Sequence, residues 1–455
     1  MKQSILLNVD AYKVSMHLMM PPNTTGVYSY IESRGGLYDK TVFFGLQAFI
    51  KEYLLEPILL DDINIADEFY KTSGQFFNRK GWEYILDNHA GYLPVRIKSV
   101  AEGTVVPVNN VLVTIENTDP ECFWLTTWLE TALLRAIWYP TTVATQGFHI
   151  KEIIKEYLIY TADNTNTLSY SLHDFGCRGV SSNESAMIGG MAHLVNFKGT
   201  DTIAGVVAAR HYYNTANAGV SVIANEHSTI VSWGREHEVD AYRNMIHKFA
   251  MPGTTFSIVS DSYDIYNACE NIYGDELKHE IERSGATLVV RPDSGDPIVV
   301  VGKVIKILDE KFGSTINSMG FKVLNSVRIL QGDGIDLHEI SAILNDVTSN
   351  GYSADNIFFG MGGQNLQKMD RDTLKFALKC SSVCVDGKWK PVQKDPITDS
   401  GKRSKPGRVT LYKTNGVFHS GVEDWEKSEL QTVFENGCLI NEITLDQVRQ
   451  NTKLW

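Results

Sequence analysis

The segment at residues 287–297, TLVVRPDSGDP, carries the pattern that most restricts how this chain can fold. A short apolar run ends abruptly in an arginine and two aspartates set among turn formers. Leu288, Val289 and Val290, preceded by the β-branched Thr287, read as a strand buried on both faces, the kind found in parallel sheets. The same grammar recurs in SIVSDSYD (257–264), VRILQGDGID (327–336), NIFFGMGGQN (356–365) and GVSVIANEHST (219–229). Helical patterns lie between these runs. The clearest covers 336–351: Asp336 can cap, Glu339 stands at capping-box spacing, and Leu337, Ile340, Ile343, Leu344 and Val347 mark one face before Gly351 closes it. Strand ends recur roughly every 28 to 40 residues, which predicts repeated βα units of a parallel sheet or barrel. Loops at the carboxyl ends of such strands converge on one face, so five polar strand ends in series point to a shared site rather than to unrelated capped turns.

A chain of 455 residues can bury a large core and predicts two or three domains. Its net charge of −12 argues against general affinity for nucleic acid or anionic membranes. An anionic substrate would therefore need a local basic cluster. No apolar run reaches the length of a membrane span, and the N-terminus lacks a signal-peptide pattern. Six scattered cysteines, of which only Cys380 and Cys384 are close together, read as reduced thiols of a cytoplasmic protein rather than as metal ligands.

Taken in order, VYSYIESR alternates like a strand with one wet face, and two glycines follow Arg34. Residues 41–55 and 61–90 read as amphipathic helices, and 93–116 as short strands with turns at Glu102-Gly103 and Asn109-Asn110. ECFWLTTWLETALLRAIWYP predicts a deeply packed helix that Pro140 terminates, its aromatics belonging to the core. Farther on, Phe175, Gly176 and Arg178 precede a helix start at Ser181-Ser182. A phenylalanine beside an arginine can stack on a flat ring, and helix starts favour anions. Asp201 lies in a loop opening another helix, where an aspartate is commonly a cap. Lys368, Arg371 and Lys379 matter if they face the glycine loop. Residues 386–408 form a basic, turn-rich stretch that is either a solvated hairpin or a loop closing over phosphate.

Three features suggest phosphate chemistry. Glycines at 332, 334, 360, 362 and 363 follow two consecutive strands and let backbone N–H groups approach phosphate oxygens. Arg291 can grip a phosphate with two hydrogen bonds, while Asp293 can take a ribose hydroxyl or a magnesium ion. The basic residues could neutralise a polyphosphate. His227, beside Glu226 at a strand end, is open to three roles: general base, nucleophile, or satisfied structural histidine. Were Asp261 to hold one ring nitrogen, the other would be free as a nucleophile.

DAYK, VYSYIESR, TVFFGLQ, ENTDPECFWLTTWLET, LHDFGCRGVSS, HLVNFKGTDT, EHST, SDSYDIYNACE, RPDSGDP, QGDGID, LQKMDRD and KRSKPGR together resemble the nicotinamide phosphoribosyltransferase family over nearly the whole chain, in the family's order. The resemblance implies a homodimer of the type II phosphoribosyltransferase fold. This is an irregular α/β barrel (166–384) plus an α+β domain built from both chain ends, 1–165 completed by 385–455. It implies that nicotinamide and 5-phosphoribosyl-1-pyrophosphate give nicotinamide mononucleotide and pyrophosphate, with magnesium. By likeness, Phe175 and a Tyr12 from the partner subunit sandwich the pyridine ring beside Arg178, and Asp201 accepts from the carboxamide. Arg291 and Asp293 hold ribose and phosphate, and Ser257, Gly332, Asp333, Gly362 and Gly363 line the nucleotide. Arg34, Arg371, Lys379, Lys394 and Lys402 bind phosphates, some across the dimer interface. His227 matches the histidine that the family phosphorylates with ATP as co-substrate, with Asp261 as its partner.

The pyridine nitrogen has a free lone pair, so attack on the anomeric carbon needs no general base, and positioning plus stabilisation of the departing pyrophosphate carries the reaction. Two residues depart from the pattern: Ala377 stands where the family often has serine, and Asn225 is larger and more polar than expected. The alternatives are a nicotinate or quinolinate phosphoribosyltransferase on the same fold, or a catalytically silent homologue that binds nucleotides or partners. Asp201 discriminates the first, because a carboxylate repels a carboxylate but accepts from an amide.

Overall fold

The computed structural model describes residues 4–398, 402–422, 424 and 427–453. The chain divides into two units, Met1–Thr145 with Ala209–Thr215 and Met369–Trp455, and Gln146–Ala208 with Ala216–Lys368. These boundaries differ from the expected 166–384 division. Residues 376–385 form a strand of the first unit's sheet, and the first boundary falls inside the helix Glu130–Thr161.

In the first unit a seven-stranded sheet runs in the order Lys388–Pro391, Phe376–Val385, Thr24–Ser33, Val111–Asn117, Val95–Ser99, Gln431–Glu435, Cys438–Leu439. All six adjacent pairs are antiparallel. The expected wet face of VYSYIESR is not found. Thr24–Ser33 is an inner strand buried almost throughout, because helices and loops cover both of its faces. Trp82, Trp124 and Trp128 pack edge to face, with Trp82 and Trp128 centroids 5.2 Å apart. Such aromatic pairs add about 0.5–1.5 kcal/mol each beyond simple burial.

Pro140 does not end its helix, which runs from Glu130 to Thr161. The ring removes one backbone donor, and the structure accommodates it. Gly45, at φ 107°, leaves room for the ring, where an added Cβ would lie 2.4 Å from Pro140 Cγ. The Thr141 hydroxyl meets the N–H and C=O of Phe44.

The second unit is built on a six-stranded parallel sheet in the order Gly199–Thr200, Leu172–Asp174, Ile357–Met361, Val327–Gln331, Thr287–Arg291, Thr255–Val259. Four of its strands carry runs of buried Val, Ile, Leu and Phe, as strands of a parallel sheet inside a unit do. The helix Leu337–Ser349 follows the expected pattern: Asp336 accepts from His338 N and Glu339 N, and Ile340, Ile343, Leu344 and Val347 are buried.

The run at 219–229 is not a regular strand. It makes single parallel bridges, Gly199↔Val220 on one side and Ile223↔Phe256 on the other. This segment thereby spans the two edge strands and closes the sheet into an irregular barrel. Two short strands, Leu172–Asp174 and Gly199–Thr200, escaped the apolar-run pattern because they are only three and two residues long. Among the described residues no helix is long and apolar enough to cross a membrane.

Candidate active site

The polar residues that follow the strands of the second unit gather at the carboxyl end of its sheet. Phe175 follows the strand Leu172–Asp174 and is fixed by its N–H to Met361 O at 2.9 Å. Its ring lies across Gly360 and Gly332. A Cβ on Gly360 would sit 2.1 Å from Phe175 Cε2, and one on Gly332 would sit 3.4 Å from that ring and 3.6 Å from Asp293 Oδ1. Glycine is therefore required at 360, while at 332 the ring and the carboxylate stand at ordinary contact distance. Beneath the turn, the fully buried Asp174 accepts from Gly176 N at 2.9 Å and Asn365 Nδ2 at 3.0 Å, tying the Phe175 turn to the loop that carries Gly362 and Gly363. Arg178 is exposed in the turn Cys177–Gly179.

Asp201 does not act as a helix cap. Its N–H reaches Asp174 O at 2.9 Å, and its Oδ1 accepts from the Ser221 hydroxyl, leaving Oδ2 for other partners. Ser257, on the strand Thr255–Val259, is buried and its hydroxyl has no partner among the described residues.

His227 and Asp261 meet: Nε2 lies 2.9 Å from Asp261 Oδ1. The other carboxylate oxygen accepts from Asp293 N at 3.1 Å and from the Ser294 hydroxyl. Burial alone would raise the Asp261 pKa, but the bonds from Ser294, His227 and Asp293 N hold it below the usual carboxylate value. An ionised Asp261 can only accept, so His227 Nε2 carries the proton and Nδ1 presents its lone pair.

Arg291 donates from Nη2 to Asn225 O at 2.6 Å, while its buried Nε has no partner. Burial pulls the Arg291 pKa below its ordinary value, with Arg178 adding to the shift and Asp293, Asp201 and Asp261 opposing it. Asp293 is pushed above the ordinary carboxylate value by burial, with Asp261 and Asp333 adding repulsion against the pull of Arg291 and His227. Asp333 is exposed, on a turn fastened by Gln331 Nε2 to Asp333 O at 2.9 Å. Gly363 abuts Gly179, where an added Cβ would stand 3.3 Å from Gly363 Cα.

The remaining expected residues lie in the first unit. Tyr12 is 60% exposed. Arg34 gives Nε to Glu32 Oε1 at 2.9 Å and keeps a buried, unpartnered Nη2. Lys379 stands opposite Tyr30 in the sheet. Its pKa is lowered first by burial and then by Arg34, Lys394 and Arg371, against Glu130. Four of the five expected phosphate-binding cations thus sense one another. Arg371 pairs with Asp372 at 3.1 Å, and Lys402 is exposed beside residues 399–401, which lie outside the described residues. Lys394 is anchored through its backbone, with Lys394 N to Ser404 Oγ at 2.8 Å and Ser404 N to Lys394 O at 2.9 Å. Ala377 lies two residues before Lys379 on the same strand and so on the same face, which places the missing hydroxyl beside that cation.

Sequence reasoning missed Ser221, Ser294, Asp174, Glu32 and Lys405. Glu32, 1% exposed, binds both Arg34 and the Lys405 ammonium. The signal was present in Ser294, which sits inside RPDSGDP, but a serine one residue past an aspartate reads as turn chemistry. One other cluster holds metal-ligand types, His89, Asp119 and Cys122. Asp119 Oδ2 there is taken by His89 Nε2 at 2.7 Å and by Tyr84, and burial pushes the Cys122 thiol up to about 12.

A profile described as the nicotinate phosphoribosyltransferase (NAPRTase) family matches residues 170–438, and one for the nicotinamide phosphoribosyltransferase N-terminal domain matches residues 4–97. The chain is 53% identical to a nicotinamide phosphoribosyltransferase of Xanthomonas campestris pv. campestris, covering 98% of this chain and 97% of that one. It is 33% identical to the Acinetobacter baylyi protein of the same name, over 97% and 95% of the two chains. Among solved structures, nicotinate-nucleotide pyrophosphorylase from Pyrococcus furiosus superposes with a TM-score of 0.63 at 18% identity, covering 99% of this chain and 95% of that one. Human nicotinic acid phosphoribosyltransferase gives 0.58 at 14%, over 98% and 92%. The fold is therefore that of the type II phosphoribosyltransferases, and the chain belongs to the nicotinamide phosphoribosyltransferase family.

Proposed function

We propose that this protein joins nicotinamide to the anomeric carbon of 5-phosphoribosyl-1-pyrophosphate, giving nicotinamide mononucleotide and pyrophosphate in cytoplasmic NAD salvage. One observation carries the reading. The Phe175 ring and the Asp293 carboxylate flank the same glycine, Gly332, so a stacking platform for a flat ring and an acceptor for sugar hydroxyls share one pocket.

In this reading the pyridine nitrogen attacks with its own lone pair as the C1–O bond to pyrophosphate breaks, and no protein base is required. Phe175 stacks on the ring, and the free oxygen of Asp201 accepts from the carboxamide NH2. Arg291, with its unpartnered Nε, holds the phosphoribosyl group. Neither Asp293 nor Asp333 accepts a hydrogen bond through its carboxylate among the described residues, whereas Asp261 is fully engaged. The first two would therefore hold Mg2+. When bound, the ion neutralises charge on the departing pyrophosphate.

His227 is the phosphoacceptor for ATP. Its Nδ1 bonds to the γ-phosphorus as the bond from that phosphorus to the ADP oxygen breaks, and Asp261 stabilises the charged ring. Tyr12 completes the site from the second copy of a homodimer, and Arg34, Arg371, Lys379, Lys394 and Lys402 bind phosphates, some of them across the subunit interface. Arg34, Arg371 and Lys394 gather around Lys379 with Glu32, Asp372 and Glu130 beside them, and the buried Arg34 Nη2, without a partner among the described residues, supports a phosphate contact there.

The experiment is a comparison of nicotinamide with nicotinate in the wild type and in Asp201→Asn. The ratio of kcat/KM for the amide over the acid is expected to fall by about tenfold or more, since the variant no longer repels a carboxylate. An unchanged ratio removes Asp201 from carboxamide recognition.

A further inference from the structure

We infer that Asn225 is a positioning residue that sets Arg291 and His227 in one frame by letting its side chain replace its own carbonyl in the sheet. The inference rests on the reading of His227 as a phosphoacceptor and of Arg291 as a phosphoribosyl contact.

The segment at 219–225 runs beside the strand Thr255–Val259 as an irregular stave. Ser257 N donates to Ile223 O at 2.8 Å, and Ile223 bridges Phe256. In a regular parallel ladder the next donor along, Val259 N, would take the carbonyl of residue 225. It takes Asn225 Oδ1 instead, at 2.9 Å. The Asn225 carbonyl is thereby free, and it accepts from Arg291 Nη2 at 2.6 Å. The remaining amide end, Nδ2, donates to Thr229 Oγ1 at 3.1 Å, at the second residue of the helix Ser228–Val231 that His227 precedes.

One residue thus fixes three things: the strand end two positions before Asp261, the guanidinium of Arg291, and the turn carrying His227. A residue lacking a side-chain acceptor has only its one carbonyl for both the Val259 N–H and the Arg291 guanidinium, so the two donors must share an oxygen that each now has to itself. Val259 is fully buried, so its N–H has no solvent to turn to.

The test compares Asn225→Ala and Asn225→Asp with the wild type, using phosphate-labelled ATP and steady-state kinetics on the full-length protein. Asn225→Ala is expected to slow labelling of His227 about tenfold and to raise KM for 5-phosphoribosyl-1-pyrophosphate about tenfold, while KM for nicotinamide stays within about twofold. Asn225→Asp keeps an oxygen facing Val259 N and is expected to recover most of both losses. A purely structural role would lower Tm without splitting the two KM values. Thr229→Val cuts the exposed Nδ2 anchor, together with the Thr229 hydroxyl's own bond to Glu226 O, and leaves the Asn225 contacts to Val259 and Arg291 in place. It is expected to slow labelling with KM for 5-phosphoribosyl-1-pyrophosphate unchanged, and it keeps the proposal testable should Asn225→Ala fold poorly.

Wild-type protein that takes no label, or takes it equally when His227 is replaced by alanine, defeats the phosphoacceptor reading. Wild-type protein labelled at His227, with Asn225→Ala labelled at the same rate and with unchanged KM values, overturns the role assigned to Asn225.

Discussion

Exchanging Asp261 for asparagine probes how His227 is held. Two donors reach Asp261 Oδ2, the Asp293 N–H at 3.1 Å and the Ser294 hydroxyl, and both require an oxygen there. The amide oxygen of the variant therefore stays at that position, and the NH2 group turns toward His227 Nε2, which lies 2.9 Å from Oδ1 in the native protein. An NH2 group only donates, so Nε2 becomes the lone-pair nitrogen and the ring proton moves to Nδ1. The imidazole keeps its place but loses its nucleophilic nitrogen. A hydrogen bond to a charged group contributes about 1.5–3 kcal/mol, which alone is roughly a 10- to 150-fold effect. The tautomer change adds to it, so labelling of His227 from ATP is expected to fall at least about a hundredfold. Transfer without ATP uses neither ring nitrogen and is expected to remain within about threefold. Nitrogen-15 shifts of the imidazole report the tautomer directly. A variant that labels at the wild-type rate, or that keeps its proton on Nε2, would refute the reasoning.

Gly360→Ala places a methyl group 2.1 Å from the Phe175 ring. The ring must move, with an expected cost of about 1–3 kcal/mol in thermal unfolding and a raised KM for nicotinamide. Lost stability with an unchanged KM would separate Phe175 from ring binding. Lys379 has a folded-state pKa below its ordinary 10.5, from burial first and then from Arg34, Lys394 and Arg371. Its ammonium is charged below the lowered value and lost as pH rises through it, earlier than in a free lysine. KM for 5-phosphoribosyl-1-pyrophosphate is therefore expected to rise with pH between that lowered value and 10.5. Lys379→Arg is expected to flatten the rise, and a profile that is the same in both proteins counts against Lys379.

Periodicity located the strands at 287, 327 and 357 because three or four apolar residues within five leave an unmistakable run. It overreached at 219–229, where an equally apolar stretch makes only two bridges. The side chain of Asn225, rather than a backbone carbonyl, completes the seam there. It also misread Thr24–Ser33 as half wet, since serine and glutamate look exposed in sequence, while Ser29 is buried between Ile115 and Cys380 of the neighbouring strands and Glu32 is buried against Lys405. At the site, Arg291, Asp293, His227 and Asp261 were legible because polar residues at strand ends share a face. Ser221 and Asp174 were not, because their contacts depend on which loops adjoin, and adjacency between loops is tertiary information. Pro140 shows the same limit, as its tolerance depends on Gly45.

The strand order of the first unit bears on how this chain matures. Thr24–Ser33 and Val95–Ser99 each pair on one side with the nearby Val111–Asn117, but their other neighbours, Phe376–Val385 and Gln431–Glu435, come from far along the sequence. Until those later segments have been made, one edge of each of these strands stands with open N–H and C=O groups, and closing it means bringing together stretches widely separated in the sequence. An open edge of this kind is a surface on which unfinished molecules can adhere to one another, a hazard that ends only when the distant partners add to the sheet.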